Sequence, residues 1–229
     1  MEPIYRPATM DLDIWNEVYT KNEYRLPDDM SNEIVLDIGC HVGAFSAAAK
    51  LRNVSEIFAV EMELDNLRRA ILNVNREKGQ ATFQSYHAAA WRSDCRGARI
   101  RSGGHDGINT GGAWSVPNTE LLSDIPTIPF DDVVKIASDF FRRRIDMVKL
   151  DCEGAEWPIL FTSKTLHIID HLCGEYHAGH FDGFAYGQKV QGLDYSIDAL
   201  RQLLKANGFI VEIEPPNKAL YAHFWATRA

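Results

Sequence analysis

Short apolar runs alternate along the chain with longer stretches in which apolar residues recur every three or four positions. Ile34-Val35-Leu36-Asp37-Ile38 and Ile57-Phe58-Ala59-Val60 are apolar almost throughout, as strands covered by helices on both faces are. Residues 82–86, 145–150 and 168–175 predict three more strands, the last interrupted by Asp170 and His171. Between them the spacing turns helical. Residues 10–22 predict a short polar helix, stopped by Leu26-Pro27-Asp28-Asp29, and alanine-rich residues 45–51 predict a second. Asp65 is expected to cap a helix that turns Leu67, Ile71 and Val74 inward, with Gly79 beyond its end. Asp131 is expected to cap another, with Val133, Ile136, Ala137 and Phe140 on its buried face. A helix over residues 155–161 tolerates Pro158 in its first turn. Ser196 is expected to cap the last helix, whose stripe is Ile197, Leu200, Leu203 and Leu204 and whose end is Gly208.

Strand and helix alternating through residue 175 imply a parallel sheet covered on both faces, an α/β fold of the Rossmann-like kind. Residues 209–213 and 220–226, separated by Pro215-Pro216-Asn217, predict an antiparallel pair at one edge. The stretch 92–124 breaks the rhythm. It is rich in Gly, Ser and Asn and reads as an inserted loop or short hairpin, with Trp114 placed to contact an acceptor and the segment 102–112 placed to close over it. One domain over residues 1–229 is expected, with a helical lead-in over 1–30.

Composition narrows the partners. The chain is 45% hydrophobic and 24% charged, which suits a folded globular protein. A net charge of -8 repels a phosphate backbone, so no nucleic-acid partner is expected and a small acceptor fits better. Arg142-Arg143-Arg144 falls at a helix end, where cations complement the dipole. Cys40, Cys95, Cys152 and Cys173 show neither zinc nor disulfide spacing. With no signal-peptide pattern and no membrane-length apolar run, a cytoplasmic location without membrane attachment is expected.

In such sheets ligands bind beyond the carboxyl ends of the strands, and here those ends are polar. The first strand runs into Asp37-Ile38-Gly39-Cys40-His41-Val42-Gly43, whose glycines let the backbone approach a ligand. His41 and Ala44 stand where the dinucleotide-binding pattern has its second and third glycines. The second strand ends in Glu61, near the spacing at which a carboxylate grips ribose hydroxyls. Tyr86-His87-Ala88 follows the third strand, where an adenine ring would be bracketed. The fourth delivers Lys149-Leu150-Asp151-Cys152-Glu153-Gly154-Ala155-Glu156, and the fifth Glu175-Tyr176-His177, bringing Asp151, Glu153, Glu175 and His177 into one crevice.

Together these segments resemble the FkbM family of S-adenosylmethionine-dependent methyltransferases over residues 33–215, the Lys-x-Asp-x-Glu-Gly-x-Glu run being the most specific part. The resemblance implies seven strands in order 3-2-1-4-5-7-6, with strand seven antiparallel, and O-methylation of sugars or natural products. Cys40-His41 stands where Ala-Asn is usual, and the stretch after Leu160 lacks a glycine often found there. S-adenosylmethionine is the expected cofactor, held by Asp37, Gly39, Cys40, His41, Gly43, Ala44, Phe45, Glu61, Met62, His87, Ala88, Ala89 and Asp151. The expected acceptor is a small-molecule hydroxyl. His177, whose ordinary pKa of about 6.5 suits proton transfer at neutral pH, is the expected general base, with Asp151 as runner-up and Glu175 beside them. The same carboxylates supply oxygen ligands for a divalent cation, although no spacing among them is diagnostic of one. A nucleic-acid methyltransferase, a nicotinamide-dependent oxidoreductase and a non-catalytic cofactor-binding domain are the competing readings.

Overall fold

Five buried residues in succession put Ile34–Ile38 (β1) at the middle of a sheet, where alternation of side chains divides them between two cores. Ile34, Leu36 and Ile38 face one apolar layer and Val35 the other. The computed structural model describes residues 2–95, 99–103, 108–112, 114–117, 125–177, 195–216 and 221–229.

The lead-in forms a short helix, Asp11–Trp15 (α1), that continues as a π-helical turn over Asn16–Thr20. After β1 come Ala44–Leu51 (α2), Glu56–Glu61 (β2), Leu64–Arg76 (α3) and Thr82–His87 (β3). Ala89–Trp91 (β4), Arg99–Gly103 (β5), Trp114–Pro117 (β6) and Ile125–Pro129 (β7) form a second sheet in order β4-β7-β5-β6. Then follow Phe130–Phe141 (α4), Ile145–Leu150 (β8), Glu156–Thr162 (α5), Ile169–His177 (β9), Ile197–Ala206 (α6), Phe209–Ile213 (β10) and Tyr221–Arg228 (β11). The main sheet runs β3-β2-β1-β8-β9-β11-β10, with β11 antiparallel to both of its neighbours. Counted along these seven strands, that is the expected 3-2-1-4-5-7-6.

The two cores differ in what covers them. On one face α2 and the lead-in bury Trp15, Val18, Tyr24, Leu26 and Met30 against Val35, Ile57 and Met147. On the other, α4, α5 and α6 press Val133, Val134, Ile159, Leu200 and Leu204 against Leu36, Phe58 and Val148, each such side chain contributing about 1.5–3 kcal/mol. No helix among the described residues is long and apolar enough to cross a membrane.

Several local expectations change. Glu63 rather than Asp65 precedes α3, and Asp65 pairs with Arg69 one turn on. In α4, which begins at Phe130 after Pro129, the buried line is Phe130, Val133, Val134 and Ala137, while Ile136 and Phe140 are exposed. Of the two readings of the inserted stretch, loop or short hairpin, the antiparallel pairing of β5 with β6 gives the hairpin. Its tip at 104–107, residues 118–124 and the Trp114 side chain lie outside the described residues. Arg143 and Arg144 pair with Asp146 and Asp170, as a structural role requires. Ser196 does cap α6, accepting the Ala199 amide at 3.2 Å.

Asp131 is not a cap either. Buried in the first turn of α4, it accepts from the hydroxyls of Ser163 and Thr165 and from the Lys164 amide, fastening the end of α5 to the start of α4. Asp131→Ala strands those donors and is expected to lower unfolding stability by about 1–3 kcal/mol, read by urea denaturation. An unchanged midpoint would mean that water satisfies them.

Candidate functional site at the carboxyl ends of the strands

Gly39 and Gly43 take left-handed angles, φ +77° and +85°, and neither has space for a side chain. A Cβ on Gly39 would stand 1.9 Å from the Asp151 carbonyl oxygen, and one on Gly43 2.8 Å from the Cα of Ala70. The turn between them is therefore packed tightly against β8 and α3. His41 shares the left-handed region at φ +50°, a conformation that costs a residue with a Cβ about 1–2 kcal/mol. Its amide donates to Glu61 Oε2 at 2.8 Å, and Glu61 Oε1 accepts the Glu63 amide at 2.8 Å. Glu61 thus faces the turn. Burial pushes its pKa up, against the pull of the Glu63 and His41 amides. Two of its roughly four lone-pair sites are engaged by the backbone.

The remaining predicted cofactor positions fall into two groups. His87 pairs with Glu61 across the β2–β3 ladder and donates from Nε2 to the Met62 carbonyl at 3.0 Å, placing Met62, His87, Ala88 and Ala89 together beyond the strand ends. Ala88 and Ala89 are themselves buried, as is Cys40, and the Phe45 ring is taken up by the core, edge-on to Tyr24. Ala44 is buried at the head of α2.

Beneath the turn lies a charge cluster in which Lys149 joins two predicted site residues, Asp37 and Asp151. Lys149 projects from β8, 5% exposed, and donates to the Gly39 carbonyl at 2.5 Å. Its ammonium is 3.5 Å from Asp37 and 3.4 Å from Asp151. Burial would lower its pKa, but Asp151 and Asp37 hold it above the ordinary value. Asp37 has no exposure, accepts the Ser46 hydroxyl on Oδ2 at 2.6 Å and, among the described residues, keeps Oδ1 without a hydrogen bond. Asp151 accepts the hydroxyl of buried Tyr24 at 2.9 Å. Although burial acts to raise its pKa, Lys149, His177 and that hydroxyl outweigh it, and Asp151 stays ionised.

Glu156 organises the next loop. Essentially buried, it accepts the amides of Cys152 at 2.5 Å and Gly154 at 2.7 Å, clasping the turn in which Glu153 takes φ +50°. It also lies 3.4 Å from His177 Nδ1, while Nε2 is 3.2 Å from Glu153 and 3.7 Å from Glu175. Asp151, Glu153, Glu175 and His177 therefore do share one crevice. The protonation expected of His177 does not hold: burial alone would lower its pKa, but Glu156 and Glu153 raise it well above 6.5. An imidazolium held by carboxylates at both ring nitrogens does not accept a proton. Glu175 is raised as well, pushed up to about 7 by burial and by the charge of Asp151.

Glu175 also faces His223 of β11, whose Nε2 is 3.4 Å from it and 3.2 Å from Glu23, with Glu214 3.4 Å from Nδ1. One ligand atom from each of Glu23, Glu175 and His223 falls within 4.8 Å of the others, close enough for a metal. Burial opposes it, but Glu175 and Glu23 raise His223 to about 10, so the imidazolium itself supplies the positive charge among them. Beside this cluster opens a cavity of about 590 Å³ lined by Lys21, Glu23, Arg25, Tyr221, His223 and Trp225 among others.

The charge balance fits a cationic nucleoside such as S-adenosylmethionine. Among the described residues Asp37, Asp151, Glu153, Glu156 and Glu175 are offset by Lys149, His177 and His223 as cations, and S-adenosylmethionine, whose sulfonium and ammonium outweigh its one carboxylate, brings a further net positive charge. Glu61 fits the ribose, and the glycine turn fits close approach of the methionine end.

Comparison with known proteins bears on the fold and the family. No curated protein matches the chain in sequence. Among solved structures, a methyltransferase FkbM from Methylobacillus flagellatus KT is 12% identical with a TM-score of 0.51, covering 93% of this chain and 47% of its own. A candidate rRNA-methylase from Clostridium thermocellum is 8% identical with a TM-score of 0.50, covering 96% of this chain and 95% of its own. At such identities the likeness is one of fold. The profile described as the methyltransferase FkbM domain matches residues 37–211, from the buried aspartate of β1 to the middle of β10. The chain belongs to the FkbM family of S-adenosylmethionine-dependent methyltransferases.

Proposed function

We propose that the protein methylates a hydroxyl oxygen of a small molecule held in the cavity beside Glu175. The observation that carries this reading is the Glu175 carboxyl itself. Its pKa of about 7 suits a general base at neutral pH, and its oxygens lie between the crevice residue His177 and the cavity residue His223. A volume of about 590 Å³ is of small-molecule size. Glu23 and Glu214 in the cavity lining, with Glu175 beside it and a net charge of -8, disfavour a phosphate backbone although Lys21 and Arg25 also line the cavity.

S-adenosylmethionine supplies an electrophilic methyl on a sulfonium that needs no further activation. The chain positions, excludes water and moves one proton. Glu61 grips the ribose, the Gly39–Gly43 turn receives the methionine end with Asp37 and Asp151 nearby, and His87 to Ala89 border the adenine. Bound there, S-adenosylmethionine would give its methyl to the acceptor oxygen and keep the carbon–sulfur electron pair on sulfur, and Glu175 would take the hydroxyl proton.

Incubation with S-adenosylmethionine and a panel of hydroxylated small molecules, with RNA as a parallel arm, tests the reading by mass spectrometry. Acceptor gain of one methyl in step with S-adenosylhomocysteine release is the expected result, whereas methylation of RNA alone would overturn it. Glu61→Ala is expected to weaken S-adenosylmethionine binding about 10- to 100-fold in calorimetry, since hydrogen bonds to a charged group contribute about 1.5–3 kcal/mol. Undiminished affinity would remove Glu61 from the ribose site.

A further inference from the structure

The family profile begins at residue 37, yet a side chain that precedes it reaches into the charge cluster beneath the glycine turn. Tyr24 is 2% exposed, and its hydroxyl donates to Asp151 Oδ2 at 2.9 Å, 127 positions further along the chain. Among the described residues it makes the only hydrogen bond that this carboxylate accepts. Lys149 lies 3.4 Å from the same oxygen, but the hydrogen bond it donates goes to the Gly39 carbonyl. Asp151 keeps 25% of its side chain exposed, whereas Asp37, the other partner of Lys149, keeps none. Of the two carboxylates paired with the lysine, Asp151 is therefore the one a ligand can reach.

Tyr24 belongs to a tight loop of the lead-in. Asn22 and Arg25 both take φ +57°, a conformation disfavoured for residues with a Cβ. The Arg25 amide donates to the Asn22 carbonyl at 2.8 Å, and the Asn22 side chain closes the loop by accepting the Leu26 amide at 2.9 Å and donating to the Leu26 carbonyl at 2.8 Å. Both neighbours of Tyr24 are fastened to β11. Glu23 lies 3.2 Å from His223 Nε2, and the Arg25 guanidinium stands 3.4 Å from the centre of the Trp225 ring. The Tyr24 ring packs edge-on to Phe45 and to His223, at 5.7 and 5.8 Å. Packing accounts for the ring and not for the hydroxyl, since phenylalanine fills the same space. A carboxyl group turns about its Cβ–Cγ bond in a broad, roughly two-fold well. With the hydroxyl and the ammonium both on Oδ2, that rotation is stopped and Oδ1 is committed to neither.

We propose that Tyr24 is a positioning residue for cofactor binding: its hydroxyl locks the Asp151 carboxylate so that Oδ1 meets the ammonium group of bound S-adenosylmethionine. This deepens the methyltransferase reading and rests on it. Tyr24 reaches the cofactor only through Asp151, and it does so from a segment outside the matched family domain.

Calorimetry on the intact protein, with S-adenosylhomocysteine as the probe, tests the proposal as a double-mutant cycle. Tyr24→Phe keeps the ring and is expected to melt cooperatively while binding about tenfold more weakly, within the range for residues coupled in one network. Asp151→Ala is expected to weaken binding at least as much. Adding Tyr24→Phe to Asp151→Ala is expected to change nothing further, because the hydroxyl acts only through the carboxylate. Carbon NMR of the aspartate carboxyls gives a readout that packing alone does not move. The Asp151 resonance, identified by its loss in Asp151→Ala, is expected to shift when S-adenosylhomocysteine is added to the wild type. Wild-type affinity in Tyr24→Phe overturns the proposal, as does a loss that recurs in full on the Asp151→Ala background. An Asp151 resonance that stays in place while the wild type binds overturns it without recourse to Tyr24→Phe. A wild type that binds no S-adenosylhomocysteine would instead sink the methyltransferase reading beneath it.

Discussion

Lys149→Met is expected to cost about 3–5 kcal/mol of unfolding stability, a large share of what a domain of this size has. Methionine matches the aliphatic stem, so packing is kept and the change isolates the charge. What it leaves behind is Asp37, fully buried, and Asp151, both within 3.5 Å of the lost ammonium, together with a Gly39 carbonyl without its donor. The pH dependence gives a second signature. In the wild type, Lys149 is raised and contributes at every pH below about 10.4, losing that contribution only as pH rises through its folded value. Asp151 is depressed, so it contributes above about 3.9 and loses that contribution as pH falls through its lower folded value. Without the lysine, burial acts on Asp151 unopposed by its main counter-charge. Its sign reverses: acid now stabilises, and the gap between variant and wild type narrows as pH falls from 7 toward 5. Guanidinium melts across that range measure it, and a gap constant with pH would mean that water has replaced the ammonium.

Lys149 also shows where reading the sequence stops. Short continuous apolar runs placed β1 and β2 because a strand covered on both faces buries every side chain, and the glycines and Glu61 stood out because turn geometry restricts the residues that fit. A lysine within a strand, however, reads as an interruption until its partner on β1, more than a hundred residues away, is known. The second sheet was missed for the same reason, since Ala89 finds Thr127 only across the insertion. Tyr24, Asp11 and Thr110 carry no local signal at all, being ordinary polar residues whose importance lies in contacts made by distant segments. His177 is the opposite case. Its place in the crevice was legible, but its protonation was not, because Glu153, Glu156 and Glu175 together decide it.

That reversal makes Glu175→Gln the decisive catalytic test. The variant is expected to lose about 10²- to 10⁴-fold in kcat, the usual weight of a general base, while S-adenosylmethionine affinity stays at the wild-type level. Neither neighbouring cation is stranded, since His177 keeps Glu153 and Glu156 and His223 keeps Glu23 and Glu214; stability should therefore change by about 1 kcal/mol or less. The pH profile separates a base from a mere spacer. Glu175 must be ionised to accept the hydroxyl proton, so wild-type kcat/KM rises with pH and levels off above about 7, and the variant loses that limb. Glu153 offers the sharpest contrast. It is also raised by burial but lies closer to His177, so Glu153→Gln should retain a limb near 7 with its midpoint moved. If Glu153→Gln abolished the limb and Glu175→Gln kept it, the proton would be leaving through the β8 loop, and the acceptor would lie over Glu153 and not beside the His223 cavity.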